Sequence, residues 1–516
     1  MNILLVTADQ WRGDCLSALD HPCVKTPNFD QLVVDGVLFK NHYSVCAPCA
    51  PARASLLTGM YQQNHRVVRN GTPLDARHTN LAKELRLAGY TPTLFGYTDT
   101  SLDPRVYSAE EVLAHGYENI MPGFEEGLLL KSECPEPWLQ HLRDNGYAVD
   151  TVGDAYQQQL VESGNKPKGR CYAPTIFKEE HSQTAFLTDE LIKFIGGSES
   201  DWCVHLSYLR PHPPFIAPEP WNSMYTAESV PTPSRATDLQ AYIDLHPWME
   251  AALSLKGDWF ENWIQHALES EDFELEMRQI RASYYGLISK VDHYFGKLIQ
   301  HLKDLGQYDN TLIVLTSDHG ELLGDQWLFG KRGFFDSAYH IPLIIKEPQQ
   351  SVDAISDQSS AQTGRIESGF TESVDVMPTL LDLIGQKIPR QCDGRSLLPI
   401  IHQTRSEPIR TELHWEYDFR EVDHTELENS MGLSMDDCHM NVIRDQHYKY
   451  VHFSNLPPLF FDLKSDPEEV VNLANDPNYA VQMLRLSQKM LSWRMQNDER
   501  TLTNINISTT GISSRE

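Results

Sequence analysis

The chain has 516 residues, room for three to four domains at roughly 150 residues each, or for one large α/β enzyme core with an appended piece. Its 41% hydrophobic, 22% charged and 10% aromatic content excludes a collagenous, disordered or low-complexity protein. A formal net charge of −29 repels phosphate backbones and anionic lipid, so neither nucleic acid nor a membrane is an expected partner, and no apolar run approaches the ~18 residues that cross a bilayer. Against that field, a site for an anion must draw positive charge from a metal, from Arg, Lys or His, or from helix N-termini.

Met1 to Asp9 run directly into a buried-strand pattern with no basic leader and no small-residue cleavage site, which reads as cytoplasmic. The nine cysteines are scattered and do not form a disulfide framework. Short apolar runs at 2–7, 91–96, 202–208, 311–316 and 341–345 alternate with helical patterns. That alternation predicts an α/β fold, a doubly wound and mostly parallel central sheet with helices on both faces. Four of these strands end in polar clusters: Asp9-Gln10, Tyr97-Thr98-Asp99-Thr100, Arg210-Pro211-His212 and Ser317-Asp318-His319-Gly320. In open α/β sheets ligands bind beyond the carboxyl ends of strands, so the four endings are expected to share one crevice. Residues 105–190 and 215–275 read as long insertions that wall a pocket, and 351–363 as a polar surface linker. Beyond Arg395 the segments at 448–453 and 459–463 look antiparallel, giving a main domain over 1–400 and a smaller C-terminal α+β domain over 401–516. Its final helix, 479–499, carries Val481, Leu484, Met490, Leu491 and Trp493 at helical spacing, a pattern of core or dimer packing.

The focal segment runs from Cys46-Ala47-Pro48-Cys49-Ala50-Pro51-Ala52-Arg53 to Gly59. Pro51 just inside a helix start and Gly59 just past its end predict a helix opening at Cys49, where the dipole favours an anion and lowers a thiol's pKa. Two readings are open. Cys46 and Cys49 could be a thioredoxin-like dithiol, or Cys49-x-Pro51-x-Arg53 could be the signature by which sulfatases mark a cysteine for conversion to formylglycine. A dithiol domain needs nothing from Asp9 or Asp318, whereas this chain is organised around such strand ends. A non-catalytic binding protein with an unmodified Cys49 is a third reading.

Alongside that segment stand Ala8-Asp9-Gln10, Thr26-Pro27-Asn28, Pro211-His212-Pro213-Pro214, Ser317-Asp318-His319-Gly320-Glu321, Val374 to Thr379, and Phe461-Asp462 with Asp466-Pro467. With these pieces the sequence resembles the formylglycine-dependent hydrolases of the alkaline phosphatase superfamily from Asn2 into the C-terminal region. Gln10, Asn70, Tyr97, Gly330-Lys331 and the stretch from Tyr448 to Arg494 make it most similar to the phosphonate monoester hydrolases and the bacterial arylsulfatases nearest them. The resemblance implies an alkaline-phosphatase-like fold and one divalent ion, Mn²⁺ or Ca²⁺, held by Asp9, Gln10, Asp318 and His319 together with modified Cys49. It further implies that Arg53 holds the nucleophile and the ligands, and that His212 and Lys331 bind the transferred group and assist the leaving group. Asn70, Tyr97 and Thr100 would contact substrate oxygens.

The implied activity is cleavage of small anionic esters, phosphonate monoesters and phosphodiesters with sulfate monoesters close behind; the alternative is a true arylsulfatase with incidental activity on phosphorus. A formylglycine-generating enzyme as maturation partner and a homodimer or homotetramer also follow from the resemblance. Tyr97 stands where many sulfatases have Lys, which leaves less positive charge and suits a monoanionic ester. Two departures stand out: Gln10 occupies a place where usual sulfatases have a second Asp, which makes the metal site one charge less negative, and the other is Asp99. Asp99 falls where a neutral hydroxyl residue is expected; it pairs with Arg53, Lys331 or another cation, or points away from the pocket.

Overall fold

The computed structural model describes residues 1–156, 170–236, 238–254, 272–349, 363–423 and 425–515. In chain order its strands are β1 (Asn2–Ala8), β2 (Val37–Tyr43), β3 (Cys46–Ala47), β4 (Pro92–Gly96), β5 (Glu125–Leu129), β6 (Cys203–Tyr208), β7 (Thr311–Thr316), β8 (His340–Ile341), β9 (Leu343–Lys346), β10 (Arg365–Glu372), β11 (Leu413–Asp418), β12 (His439–Arg444), β13 (Tyr448–Phe453) and β14 (Leu459–Asp462). A short exposed hairpin, β15 (Ile505–Ser508) and β16 (Gly511–Ser514), closes the chain. Among the described residues the central sheet has nine strands in the order β10-β2-β9-β7-β1-β6-β4-β5, with β8 alongside β2. Pairing is parallel except around β9, which runs antiparallel between β2 and β7, and at β8.

Both faces of the middle of this sheet are dry, which is why β1, β7 and β9 read as continuous apolar runs. Along β1, Leu4, Val6 and Ala8 enter one core and Ile3 and Leu5 the other; along β7, Ile313 and Leu315 separate in the same way from Leu312 and Val314. The long helix Phe273–Asp304 covers the first face with Met277, Tyr284, Leu287, Val291 and Leu298. The helix Cys49–Thr58 covers the second with Ala50, Ala54, Leu56 and Leu57, and all ten of its residues are buried. At its end Gly59 has φ +68°, and a Cβ there would lie 2.9 Å from Cys392 Sγ, so the left-handed residue past the helix must also be the smallest one.

The C-terminal part adds a second, five-stranded sheet in the order β14-β13-β12-β11-β3. Its outer strand is not C-terminal at all: Cys46 and Ala47 pair in parallel with Glu416 and Tyr417. A mixed core containing Tyr339, Phe334, Trp415 and Phe461 joins the two parts. Asp336 receives Arg444 Nε at 2.8 Å and an ion pair from the fully buried Lys449, so the C-terminal sheet also grips the loop carrying Lys331.

Of the stretches expected as insertions, 125–129 is the edge strand β5 and Gln183–Gly196 is the helix leading into β6. Trp248 from the second stretch packs its ring against Phe334 and against Gly333 in the Lys331 loop. Residues 157–169, 237 and 255–271 in these stretches, and 351–362 of the expected linker, lie outside the described residues. The final helix, Ala480–Gln496, packs through Met490 and Trp493 of the expected set, with Leu486 beside them. Leu486 and Met490 are buried, whereas Val481, Leu484 and Leu491 are 77%, 58% and 61% exposed. The reason is Trp493, whose ring lies flat on His414 at 4.3 Å and edge-on to Tyr61, fixing the rotation of the helix about its axis. No helix of the described residues is long and apolar enough to cross a membrane.

Candidate active site

β7, β1, β6 and β4 are consecutive neighbours in the sheet and all parallel, so their carboxyl ends open on one side. Asp318 and His319 leave β7, Asp9 and Gln10 leave β1, His212 follows β6 and Tyr97 to Thr100 follow β4. The Cys49 helix starts in the same crevice. One ligand atom each from Asp9, Cys49, Asp318 and His319 lie within 4.8 Å of one another, all buried.

His319 Nε2 is 3.1 Å from Cys49 Sγ, and its Nδ1 is 3.0 Å from the Gly320 carbonyl. A carbonyl can only accept, so Nδ1 carries the hydrogen and Nε2 keeps its lone pair toward the cluster. Asp9 Oδ1 is buried without a hydrogen-bond partner. A carboxylate oxygen left in that condition is costly, and together with Asp318 and an imidazole lone pair it makes a donor set suited to a hard or intermediate divalent cation. The residues therefore fit the ion that the sequence implies. Asp9→Ala and Asp318→Ala are each expected to lower Mn²⁺ affinity at least ~100-fold, judged by metal retained after gel filtration of the reloaded protein.

Arg53, 1% exposed, has four of its five N–H donors in hydrogen bonds. Nε donates to Asp318 Oδ2 at 3.1 Å, Nη2 to Asp9 Oδ2 at 2.8 Å, and Nη1 to Ser207 Oγ at 2.8 Å and to the Tyr97 carbonyl at 3.0 Å. Asp99 Oδ2 lies 3.6 Å from the same Nε, which answers where that unexpected acid goes. The Tyr97 ring lies 4.4 Å from the guanidinium carbon. Room for this arrangement depends on Gly96, whose φ is +113° and whose Cβ would sit 2.2 Å from the Ser207 carbonyl.

Burial pushes Asp99 well above the usual carboxylate range, with Arg53 opposing. Burial acts upward on Asp9 too, but His212, Arg53, His319 and Lys331 together hold it well below that range. Burial and then Asp9 push the Cys49 thiol well above its ordinary value. This overturns the lowered thiol expected from the helix N-terminus: the dipole effect is outweighed by desolvation and by three carboxylates around the sulfur. Cys46 turns away to Ser55 Oγ at 3.2 Å, and burial pushes its thiol up as well. Neither sulfur is poised as a thiolate, and the two face different partners, so the dithiol reading loses its basis.

Lys331 reaches in from the loop after β7 and donates to Gln10 Oε1 at 2.8 Å. Burial lowers its pKa, but Cys49, Asp9, Asp318 and Glu321 raise it by more, and it stays a fixed positive charge. His212 donates from Nδ1 to the Pro213 carbonyl at 2.9 Å; burial and then Lys331 push it down to about 4.

Seven of the residues picked from sequence thus meet directly: Asp9, Gln10, Cys49, Arg53, Asp318, His319 and Lys331. The three expected at substrate oxygens have other partners. Tyr97 donates its hydroxyl to Asp9, Asn70 accepts the Ala50 amide at 3.0 Å at the start of the Cys49 helix, and the Thr100 hydroxyl is bonded to Thr98. Three contributors were not picked out: Ser207 under Arg53, Tyr284, whose hydroxyl donates to the Gln10 carbonyl at 2.7 Å, and Glu321. Ser207 and Glu321 sit next to polar strand ends, a signal that could have found them; Tyr284 lies mid-helix and offers none.

A sequence profile of sulfatases matches residues 1–386. The chain belongs to the sulfatase family. A second profile, the C-terminal region of N-sulphoglucosamine sulphohydrolase, matches residues 324–496 of this sulfatase. The multifunctional alkaline phosphatase superfamily protein PehA of Trinickia caryophylli is 43% identical over 526 residues, covering 100% of this chain and 99% of its own. An arylsulfatase of Clostridium perfringens is 27% identical, covering 93% of this chain and 91% of its own. The crystal structure of a phosphonate monoester hydrolase of Agrobacterium radiobacter superposes with a TM-score of 0.91 at 40% identity, covering 100% of this chain and 99% of the other. The corresponding enzyme of Silicibacter pomeroyi gives 0.90 at 39% identity over the same shares. This sulfatase-family chain is an ester hydrolase of the alkaline phosphatase superfamily, as its motifs imply. Sulfatases are metal-dependent and use formylglycine, and the Asp9, Cys49, Asp318 and His319 cluster stands where such an ion belongs.

Proposed function

We propose that this enzyme hydrolyses monoanionic esters, phosphonate monoesters and phosphodiesters first and sulfate monoesters by the same machinery, with residue 49 as formylglycine made by a formylglycine-generating enzyme. The burial and engagement of Arg53 carry this reading. With its guanidinium bonded to Asp9, Asp318, Ser207 and the Tyr97 backbone, Arg53 commits its charge to the site's own carboxylates ahead of an incoming oxyanion. Tyr97 adds no charge, and Lys331 is left as the full positive charge of the chain beside Cys49, enough for one negative charge on the transferred group. The structures that superpose at TM-scores of 0.91 and 0.90 are phosphonate monoester hydrolases, which supports the same substrate class.

A bound divalent ion would supply Lewis-acid polarisation at the nucleophile and at the transferred oxygens. Hydrated formylglycine offers two hydroxyls on one carbon. That group would supply the nucleophile that displaces the ester oxygen from phosphorus or sulfur. Charge building on that oxygen is met by the Lys331 ammonium, and His212, with its Nδ1 hydrogen tied to Pro213, has Nε2 available to carry a proton. The second hydroxyl of the hydrated aldehyde would supply the route by which the transferred group is released. Asp9, Asp318 and His319 stay fixed throughout by Arg53 and the Gly320 carbonyl.

Two measurements test the reading. The tryptic peptide spanning Cys49 from the native host is expected to carry an aldehyde that reacts with hydrazide; free thiol alone would overturn it. The ratio of kcat/KM for phenyl phenylphosphonate over phenyl sulfate is expected to exceed 1; a ratio well below 1 would favour the arylsulfatase reading, which the 27% identical Clostridium perfringens relative represents.

A further inference from the structure

Gln10 differs from the other metal-facing side chains in having two nearly isosteric ends, a carbonyl oxygen that can serve a cation and an amino group that repels one. Its backbone has no freedom left: φ is +67°, the amide donates to Asp318 Oδ1 at 3.1 Å, and the carbonyl accepts from the Tyr284 hydroxyl at 2.7 Å. The remaining ambiguity is a half-turn of the side-chain amide. At one end Oε1 accepts from Lys331 Nζ at 2.8 Å; at the other Nε2 donates to Glu321 Oε2.

Glu321 is fully buried, and among the described residues its hydrogen-bond partners are Gln10 and two backbone amides. Its other oxygen, Oε1, accepts the amides of Leu323 at 2.8 Å and Gly330 at 2.6 Å. A neutral Gln could serve the two loop amides with its carbonyl at lower desolvation cost. Where the carboxylate differs is toward Gln10, because an acceptor-only group rejects the carbonyl and admits only the amino end.

We infer that Glu321 is a positioning residue that reads the amide of Gln10, turning its carbonyl oxygen into the metal site, and that through the Gly330 amide it sets the Lys331 loop against the same oxygen. The inference rests on the metal-site reading above. A ligand that is an amide instead of a carboxylate requires a fixed partner of this kind, and Glu321 supplies it.

The pair can be inverted without losing a hydrogen bond. In Gln10→Glu/Glu321→Gln, the new Gln keeps its carbonyl on Leu323 and Gly330 and donates its amino group to the new Glu. The experiment is titration of chelator-stripped protein with Mn²⁺ alone, followed by calorimetry and by the Mn²⁺ resonance spectrum. E321Q is expected to weaken Mn²⁺ binding ~10- to 100-fold, Q10E to weaken it similarly by setting two carboxylates face to face, and the double variant to return to within a few-fold of the native protein. Equal binding by native protein and E321Q, or a double variant as weak as the product of the singles, would overturn the inference. Should E321Q fail to fold, Q10E against Q10E/E321Q decides alone: the orienting role requires the double variant to bind more tightly, a role confined to stapling the loop requires it to bind no better. Failure of the native protein to bind one Mn²⁺ would instead sink the metal-site reading itself.

Discussion

Arg53→Met is expected to remove measurable turnover and to cost about 3–5 kcal/mol of stability in metal-stripped protein, measured by denaturant unfolding. Asp9 and Asp318 are fully buried and Asp99 is 5% exposed, and all three lie within 3.6 Å of the Arg53 guanidinium. Methionine keeps the apolar stem and the packing against Tyr97 while leaving those carboxylates in a dry site without their shared donor. Protonation of Asp99, already pushed upward by burial, would relieve part of the repulsion. Hence Asp99→Asn added to Arg53→Met should recover part of the lost stability and none of the activity. A bound divalent ion offsets the same repulsion, so the penalty should shrink when Mn²⁺ is saturating. A loss below ~1 kcal/mol in the stripped protein would show that the cluster is not held by Arg53.

Cys49→Ala should reduce kcat on phosphonate monoesters and on sulfate monoesters together, each by a factor on the order of 10⁴ or more, the scale seen when a covalent nucleophile is removed. Cys49→Ser, unable to yield an aldehyde by the same route, should behave alike. Because Asp9, Asp318 and His319 remain in place, metal should still bind, so the loss of turnover is expected without loss of the ion. Comparing the two substrates is the informative part. If sulfate turnover survived while phosphonate turnover vanished, two nucleophiles would be at work and the shared mechanism would be wrong.

Much of this could be read from the sequence where one physical signal dominated. β7 (Thr311–Thr316) and β13 (Tyr448–Phe453) have the expected bounds because both are short apolar or alternating runs framed by polar turns. β2 and β10 were not foreseen. β10 is a sheet-edge strand with an alternating exposed start and a register shift between Glu367 and Phe370, so its pattern is diluted. In the final helix Met490 and Trp493 pack as expected while Val481, Leu484 and Leu491 face outward, since spacing alone cannot say how far round the helix the packed stripe extends.

At the site, ligands and nucleophile were legible because each follows a strand end or opens a helix. Ser207 and Glu321 act through those residues and are marked only by lying beside polar strand ends, and Tyr284, in the middle of a helix, carries no signature of its own. The Cys49 thiol was misread for a similar reason. A helix N-terminus is visible in sequence, but the carboxylates that crowd it arrive from β1, β4 and β7, far away along the chain.

The pairing of β3 with β11 bears on the order in which the molecule can be completed. Cys46 and Ala47 find their sheet partners only at Glu416 and Tyr417, so the segment entering the Cys49 helix cannot reach its final position until most of the polypeptide has been synthesised. Contacts of such sequence separation close late, after local helices and the first parallel pairs have formed. A chain ending near residue 400 would leave β3 as a bare strand edge open to unwanted pairing. Attempts to isolate the larger sheet as a minimal enzyme should therefore yield aggregation, and the crevice is finished by the last part of the protein to fold.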